Sequence, residues 1–169
     1  MDALADLPDQ ARLRLLPVDP PLDQAAGTAL CAAIDKLMRQ FAREGRCERW
    51  AAEVLGGGAV LAIATLGQEE LSGCSQDKLS QLLAHQERSG ERRIIAAPPI
   101  VVEIDGSPRC LDRRELRARA ARGEVTAASV HWDVRVPTLG DWRRAGRQPL
   151  GASWLAALLP ALSGANQRS

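Results

Sequence analysis

The chain has no tyrosine, one phenylalanine (Phe41), two lysines (Lys36 and Lys78) and two histidines (His85 and His131) in 169 residues. Its four cysteines, Cys31, Cys47, Cys74 and Cys110, include no C-x-x-C pair, and with the histidines they show no metal-ligand spacing. No metal and no cofactor are therefore expected, and the thiols should be free. No apolar run reaches the roughly 18 residues that a spanning helix needs. The longest, Ala59 to Leu66, is strand-sized. The opening Met1-Asp2-Ala3-Leu4-Ala5-Asp6 carries acids and no apolar core, so no secretory signal and a cytoplasmic location are expected. No Gly-Lys pair occurs anywhere, so Gly56-Gly57-Gly58 does not open a phosphate loop of the G-x-x-x-x-G-K-[ST] type. The net charge of +1 gives no global field toward nucleic acid or an anionic membrane.

What is present is a globular mixture, 46% hydrophobic and 25% charged, long enough for one domain with a real core. Residues 1–21 hold four prolines and the strand-like run Arg12 to Leu16, an extended lead-in. Leu30, Ile34, Leu37, Met38 and Phe41 recur at helical spacing, which predicts a helix over 23–44 stopped by Gly45. The triple glycine joins strands 49–55 and 59–66 in a hairpin. The second of these is apolar on both faces and belongs inside a sheet. Leu79, Leu82 and Leu83 mark a second helix ending near Ser89-Gly90. Ile100 to Ile104 and Pro108 to Leu111 flank Asp105-Gly106-Ser107 as a second hairpin. Asp112 caps a third helix to about Arg122, a strand lies within Val125 to Val134, and Pro137, Gly140 and Gly146 break the next stretch. A closing helix is expected from Trp154 to Leu162, followed by a polar tail over 163–169. The order β-α-ββ-α-ββ-α-β-α predicts an α+β domain, a mostly antiparallel sheet built of hairpins with about four helices packed on it.

Three groups of residues invite chemistry. Gly73-Cys74-Ser75-Gln76-Asp77-Lys78 falls where a turn enters the second helix, with Ser75 placed as N-cap. Open amides, the helix dipole and Lys78 there suit a thiolate or a small anion. The plainer alternative is a small residue in a tight turn. A nucleophilic cysteine needs a base. His85 lies roughly 15 Å along the same helix, and His131 can approach only through tertiary folding. Trp132, Trp142 and Trp154 gather in the last quarter, either lining a peptide groove or sealing the edge of a small core. The arginines from Arg109 to Arg147 offer phosphate contacts if they share a face, or a solvated helix face with Glu115 and Arg119 paired. Aromatic interleaving is sparse, which disfavours nucleic acid. Glu69-Glu70 and Asp77 flank the Cys74 turn without forming an acid–base pair.

The ordered signposts Phe41-Ala42-Arg43-Glu44-Gly45, Gly73-Cys74-Ser75-Gln76-Asp77-Lys78 and Ser153-Trp154 resemble a small family of uncharacterised bacterial proteins. That family has a central S-G-C-S-I-D-x-S block and a terminal S-W. Some of its members are labelled ABC transporter ATPase, which implies a Walker lysine this chain lacks. The chain also differs from the pattern at Gln76, at Lys78 and at Arg46, where relatives carry a histidine just before the glycine. Leu111 to Trp142, with Leu116, Gly123, Val130, Trp132 and Trp142, is similar to the second half of a GYF-type peptide-binding module. The resulting expectation is a non-enzymatic ligand- or protein-binding domain with its site at Gly73, Cys74, Ser75, Asp77, Lys78, Trp132, Trp142 and Trp154. The partner class is an unknown protein or small ligand, and a homodimer is compatible. The alternatives are a thiol-dependent or anion-handling enzyme centred on Cys74 and a weak nucleic-acid binder through 109–147.

Overall fold

The computed structural model describes residues 2–67 and 71–159. Glu69, Glu70 and the polar tail lie outside the described residues. The fold is α+β, with every strand pairing antiparallel, and the strands divide into two sheets rather than one.

The first sheet has the order β1-β3-β2, formed by β1 (Arg12–Pro17), β2 (Arg49–Leu55) and β3 (Val60–Leu66). β3 is central, and Val60 to Ala64 are all buried, as a strand apolar on both faces requires. Helix α1 (Gln24–Arg43) begins at Asp23, whose carboxylate accepts from the Ala26 N–H at 2.8 Å. It buries Gly27, Leu30, Ile34, Met38 and Phe41, one stripe along its length. It ends where Gly45 takes a φ of +72° and the Arg46 N–H reaches back to the Phe41 carbonyl. Helix α2 (Gly73–Gly90) adds Leu79 and Leu83 to the same apolar cluster, over Ala52, Leu61 and Ile63 of the sheet.

The opposite face of this sheet, with Leu13, Leu15, Ala51, Ala62 and Ala64, packs on Val101 and Trp132 of the second sheet and on Leu139, which follows Trp132 in the chain. The second sheet has the order β5-β4-β6-β7, made of β4 (Ile100–Ile104), β5 (Ser107–Leu111), β6 (Val130–Trp132) and β7 (Arg147–Pro149). Asp105 and Gly106, both at positive φ, make the two-residue turn between β4 and β5. Helix α3 (Arg113–Ala121) starts in a capping box of Asp112 and Glu115. Leu116 of α3 packs with Leu150 and Leu155 on the far face of this sheet, against Ile100 and Val102. The layers therefore run helices, sheet, sheet, helix. At their centre Ala51, Ala62, Ala64 and Val101 present short side chains that let the two sheets approach.

The triple glycine is the joint between these layers. A methyl group on Gly56 would lie 2.6 Å from Pro108 Cγ of β5 and 2.9 Å from the Trp132 ring. One on Gly58, at φ +101°, would lie 2.1 Å from the carbonyl oxygen of Leu22. The glycines are needed for contact and backbone shape.

Several expectations change. Ser75 is not the N-cap: α2 starts at Gly73, Ser72 occupies the cap position, and Ser75 is the third helical residue. The stretch around Pro137, Gly140 and Gly146 is not broken. It forms α4 (Leu139–Ala145), capped by Thr138, whose hydroxyl accepts from the Asp141 N–H at 3.1 Å. Gly146 is the C-cap that ends α4, and it also makes room for the Trp142 ring. The strand expected within Val125–Val134 is there, at Val130–Trp132, but β7 after α4 was not expected. In place of a closing helix, the described residues form two 3-10 turns, Leu150–Ala152 and Ala156–Leu158. Residues 160–162 lie outside the described residues.

Candidate functional site

At the start of α2, Gly73, Cys74, Asp77 and Lys78 are all exposed, whereas Ser75 is fully buried. The Ser72 carbonyl accepts from the Ser75 and Gln76 N–H groups, each at 2.9 Å. The Ser75 hydroxyl lies 3.1 Å from that of Ser72 and accepts from Arg46 at 3.0 Å. Ser75 thus ties α2 to the end of α1. A hollow of about 440 Å³ borders this turn on the side of Gln76, Asp77 and Ser80, facing Arg12, Arg14 and Pro137; Cys74 does not line it.

His131 does not join Cys74. It pairs with Val102 of β4 and so lies on the α3 side of the second sheet, while α2 covers the outer face of the first. Both sheets stand between them. His131 is 1% exposed, and its Nδ1 has no hydrogen-bond partner among the described residues. Burial pushes its pKa below 6.5, and Arg135 adds to this against the opposing pull of Asp133. The unfolded chain therefore takes up this proton first. His131 withdraws no stability above its unfolded pKa, and stability is lost as pH falls from about 6.5 toward the lower folded value. In urea titrations between pH 7 and pH 5, His131→Leu should lose less stability than the native protein. Equal losses would contradict this.

The tryptophans separate by the same alternation. Trp132 is buried between the sheets, its ring centroid 5.5 Å from that of Trp142, and its Nε1 donates to Glu103 at 2.8 Å. Trp154 lies against the edge of His131 on the opposite face, 40% exposed, with the Arg135 guanidinium 4.2 Å from its ring centre. The three do not line one groove. The arginines of the last third are mostly paired with acids: Arg119 and Arg122 with Glu124, Arg135 with Asp133, Arg144 with Asp141, and Arg147 with Glu103. Arg143 binds Asp9 and donates to the carbonyls of Leu4, Ala5 and Leu7, which fastens the N-terminal turn to α4. That leaves the exposed Arg109 on β5, and Arg113, Arg114 and Arg117 as the exposed basic face of α3.

A larger concavity lies where no motif pointed. Between α1 and β2 runs a groove of about 830 Å³. Its helical wall is Gly27, Thr28, Cys31, Ala32 and Asp35, at the spacing of one helix face. Its other wall is Ala52, Glu53 and Val54 of β2, and Leu22, Asp23, Gly57 and Gly58 close one end. The volume falls in the range of small-ligand sites, about 300–1,000 Å³. The sequence signal was the small size of residues 28, 31 and 32, which leaves room instead of filling it, whereas Gly27 lets Val54 approach the helix.

The groove's ionisable groups are set by their surroundings. Burial raises the Cys31 pKa, and the Glu53 charge raises it further, so this thiol stays protonated. Burial works to raise the Asp35 pKa, but hydrogen bonds from Trp50 Nε1 and Arg39, each 2.9 Å, hold it below the ordinary value. Asp23 is lowered by the Ala26 N–H and by Arg92. Carboxylates thus stay charged beside an apolar floor.

No family model matches the chain, and no curated protein or solved structure matches it either.

All four cysteines are free. Among the described residues no cluster of His, Cys, Asp and Glu is arranged to hold a metal ion, and no helix is long and apolar enough to cross a membrane. A third hollow, of about 400 Å³, lies between Asp19 and β5 and contains Cys110. Burial, with Asp19 adding to it, pushes that thiol's pKa to about 11.

Proposed function

We propose that this protein is a non-enzymatic binding domain that holds its ligand in the groove between α1 and β2. The observation that carries the reading is the groove itself: about 830 Å³ of space between a helix face of small side chains and a strand, rimmed by Asp23, Asp35 and Glu53. An apolar floor with an anionic rim suits an amphipathic cation. Catalysis is a poorer fit to this groove. Its one thiol is kept protonated by burial, and no histidine lines it. A cytoplasmic setting agrees with the four free thiols.

The test is a thermal-shift screen of organic amines and short peptides on the native protein and on Thr28→Trp. Thr28 is exposed on α1 and lines the groove, so an indole there blocks the space without entering the core. Hits should raise the native Tm by several degrees and lose that effect in Thr28→Trp. Equal shifts in both proteins, or no hit at all, would contradict the reading.

A further inference from the structure

We propose that the occupant of the groove is an extended peptide segment, which adds to the open edge of β2 as a fourth strand and sets an arginine or lysine opposite Glu53. This rests on the groove being the ligand site.

The hydrogen-bond parity of the first sheet shows which backbone groups are open. The Val18 N–H donates to the Ala59 carbonyl, continuing the β1–β3 register. Odd-numbered residues of β3 therefore turn toward β1 and even-numbered ones toward β2. By the β2–β3 register, Arg49, Ala51, Glu53 and Leu55 bond to β3, while Trp50, Ala52 and Val54 turn their N–H and C=O outward. The chain confirms this polarity, because the Asp2 N–H donates to the Trp50 carbonyl at 2.9 Å from outside the sheet. The N-terminal segment then leaves the edge for a 3-10 turn at Leu4–Asp6. No described residue bonds to Ala52 or Val54 on that side. Two donors and two acceptors thus face the groove. The other edge of the sheet is different: Leu13 donates to Pro137 and Leu139 donates to Ala11, so residues 137–139 cover β1. One edge is capped and the other opens on a cavity.

An added strand needs about 4.8 Å beside β2. Gly27 packs directly on Val54, and beyond that contact Thr28, Cys31 and Ala32 present short side chains that leave the space open. Ligand residues bonded to Ala52 and Val54 point their side chains toward α1, where apolar groups of modest size fit. The residue between them stands opposite Glu53, on the face of Glu53. Charge decides what that residue is. The ionised groups lining the groove are all acids. Asp23 pairs with Arg92 and Asp35 with Arg39. Glu53 accepts from the Leu4 N–H at 2.6 Å, and no cation among the described residues pairs with it. A basic side chain from the ligand supplies the missing charge, and the recognised pattern is apolar–basic–apolar in extended form.

A second copy of this chain fits less well. The antiparallel self-pairing that uses Ala52 and Val54 and leaves Asp2 in place sets Glu53 directly opposite Glu53, and like charges facing across strands are destabilising.

The experiment measures fluorescence polarisation of labelled, end-blocked pentapeptides with the full chain. The central residue is arginine, norleucine or glutamate between two valines, and a fourth peptide has both valine amides methylated. The arginine peptide should bind. The glutamate peptide should bind at least tenfold more weakly, and the methylated one should not bind, having lost its donors to the Ala52 and Val54 carbonyls. Glu53→Gln should reduce the preference for arginine over norleucine severalfold. Equal binding of arginine and norleucine by the native protein would overturn the cation assignment, and undiminished binding of the methylated peptide would overturn strand addition. A concentration-dependent dimer that Glu53→Gln strengthens would assign the edge to a second copy instead. Amines that shift Tm in a Thr28-dependent way while no peptide binds would sink this inference and spare the groove. Silence from both classes would sink the groove itself.

Discussion

Gly58→Ala is expected to destabilise the protein by more than about 3 kcal/mol, in the range reserved for forced backbone shifts and buried clashes. The new methyl group would meet backbone on every close side, 2.1 Å from the Leu22 oxygen and 2.7 Å from the Leu22 nitrogen. No side chain can rotate away to relieve it. The φ of +101° lies beyond even the left-handed region that other residues visit. The Leu22 N–H bonds the Gly58 carbonyl at 3.0 Å, so the clash also breaks the link between the β2–β3 hairpin and the lead into α1. Gly57→Ala is the internal control. It sits at φ +61° with nothing within 4 Å of the added carbon, and costs about 1–2 kcal/mol for the left-handed conformation alone. Denaturant midpoints at unchanged slope would show the gap, and equal losses would mean the joint is not where the stability lies.

Phe41→Ala should cost about 3–5 kcal/mol. Phe41 is the chain's single phenylalanine, fully buried near the end of α1 in the cluster that also holds Met38, Cys47, Leu79 and Leu83. Nothing of similar size is free to fill the void. Because α1 is one wall of the groove, the variant should also weaken groove ligands while leaving the second sheet's tryptophan contacts in place. Arg43→Ala, one turn end away on the exposed side, should stay within about 0.5 kcal/mol of the native protein. Similar losses for the two would contradict the placement of the core.

The helices and hairpins that packing dictates were plain in the sequence. The repeat of Leu30, Ile34, Met38 and Phe41 shows because one stripe of α1 carries its burial, and the Asp105-Gly106 turn shows because few residues accept that backbone. The C-terminal third was harder. Helix α4 is short, carries a glycine for close approach, and depends on the Thr138 cap rather than on an apolar stripe. The division into two sheets left no mark either, since Ala51, Ala62, Ala64 and Val101 on the facing surfaces look like ordinary core.

The proposed site was illegible for a different reason. Spacing located the entry to α2, but coiling begins at Gly73, ahead of Cys74, and Ser75 turns inward to Ser72 and Arg46. The groove is made of space and main chain: small residues on α1 and outward amides on β2. Neither leaves a motif of side chains to find. Trp50, by contrast, packs the first hairpin on α1 as its position implies, with its indole on Asp35.

Amide hydrogen exchange resolved along β2 tests the central claim most directly. With no ligand, the Ala52 and Val54 amides should exchange much faster than those of Ala51 and Glu53, which bond to β3. Saturation with the arginine-centred pentapeptide should slow Ala52 and Val54 and leave their neighbours unchanged. If the four amides are equally protected before any peptide is added, the edge is already covered and the groove is not an open strand site.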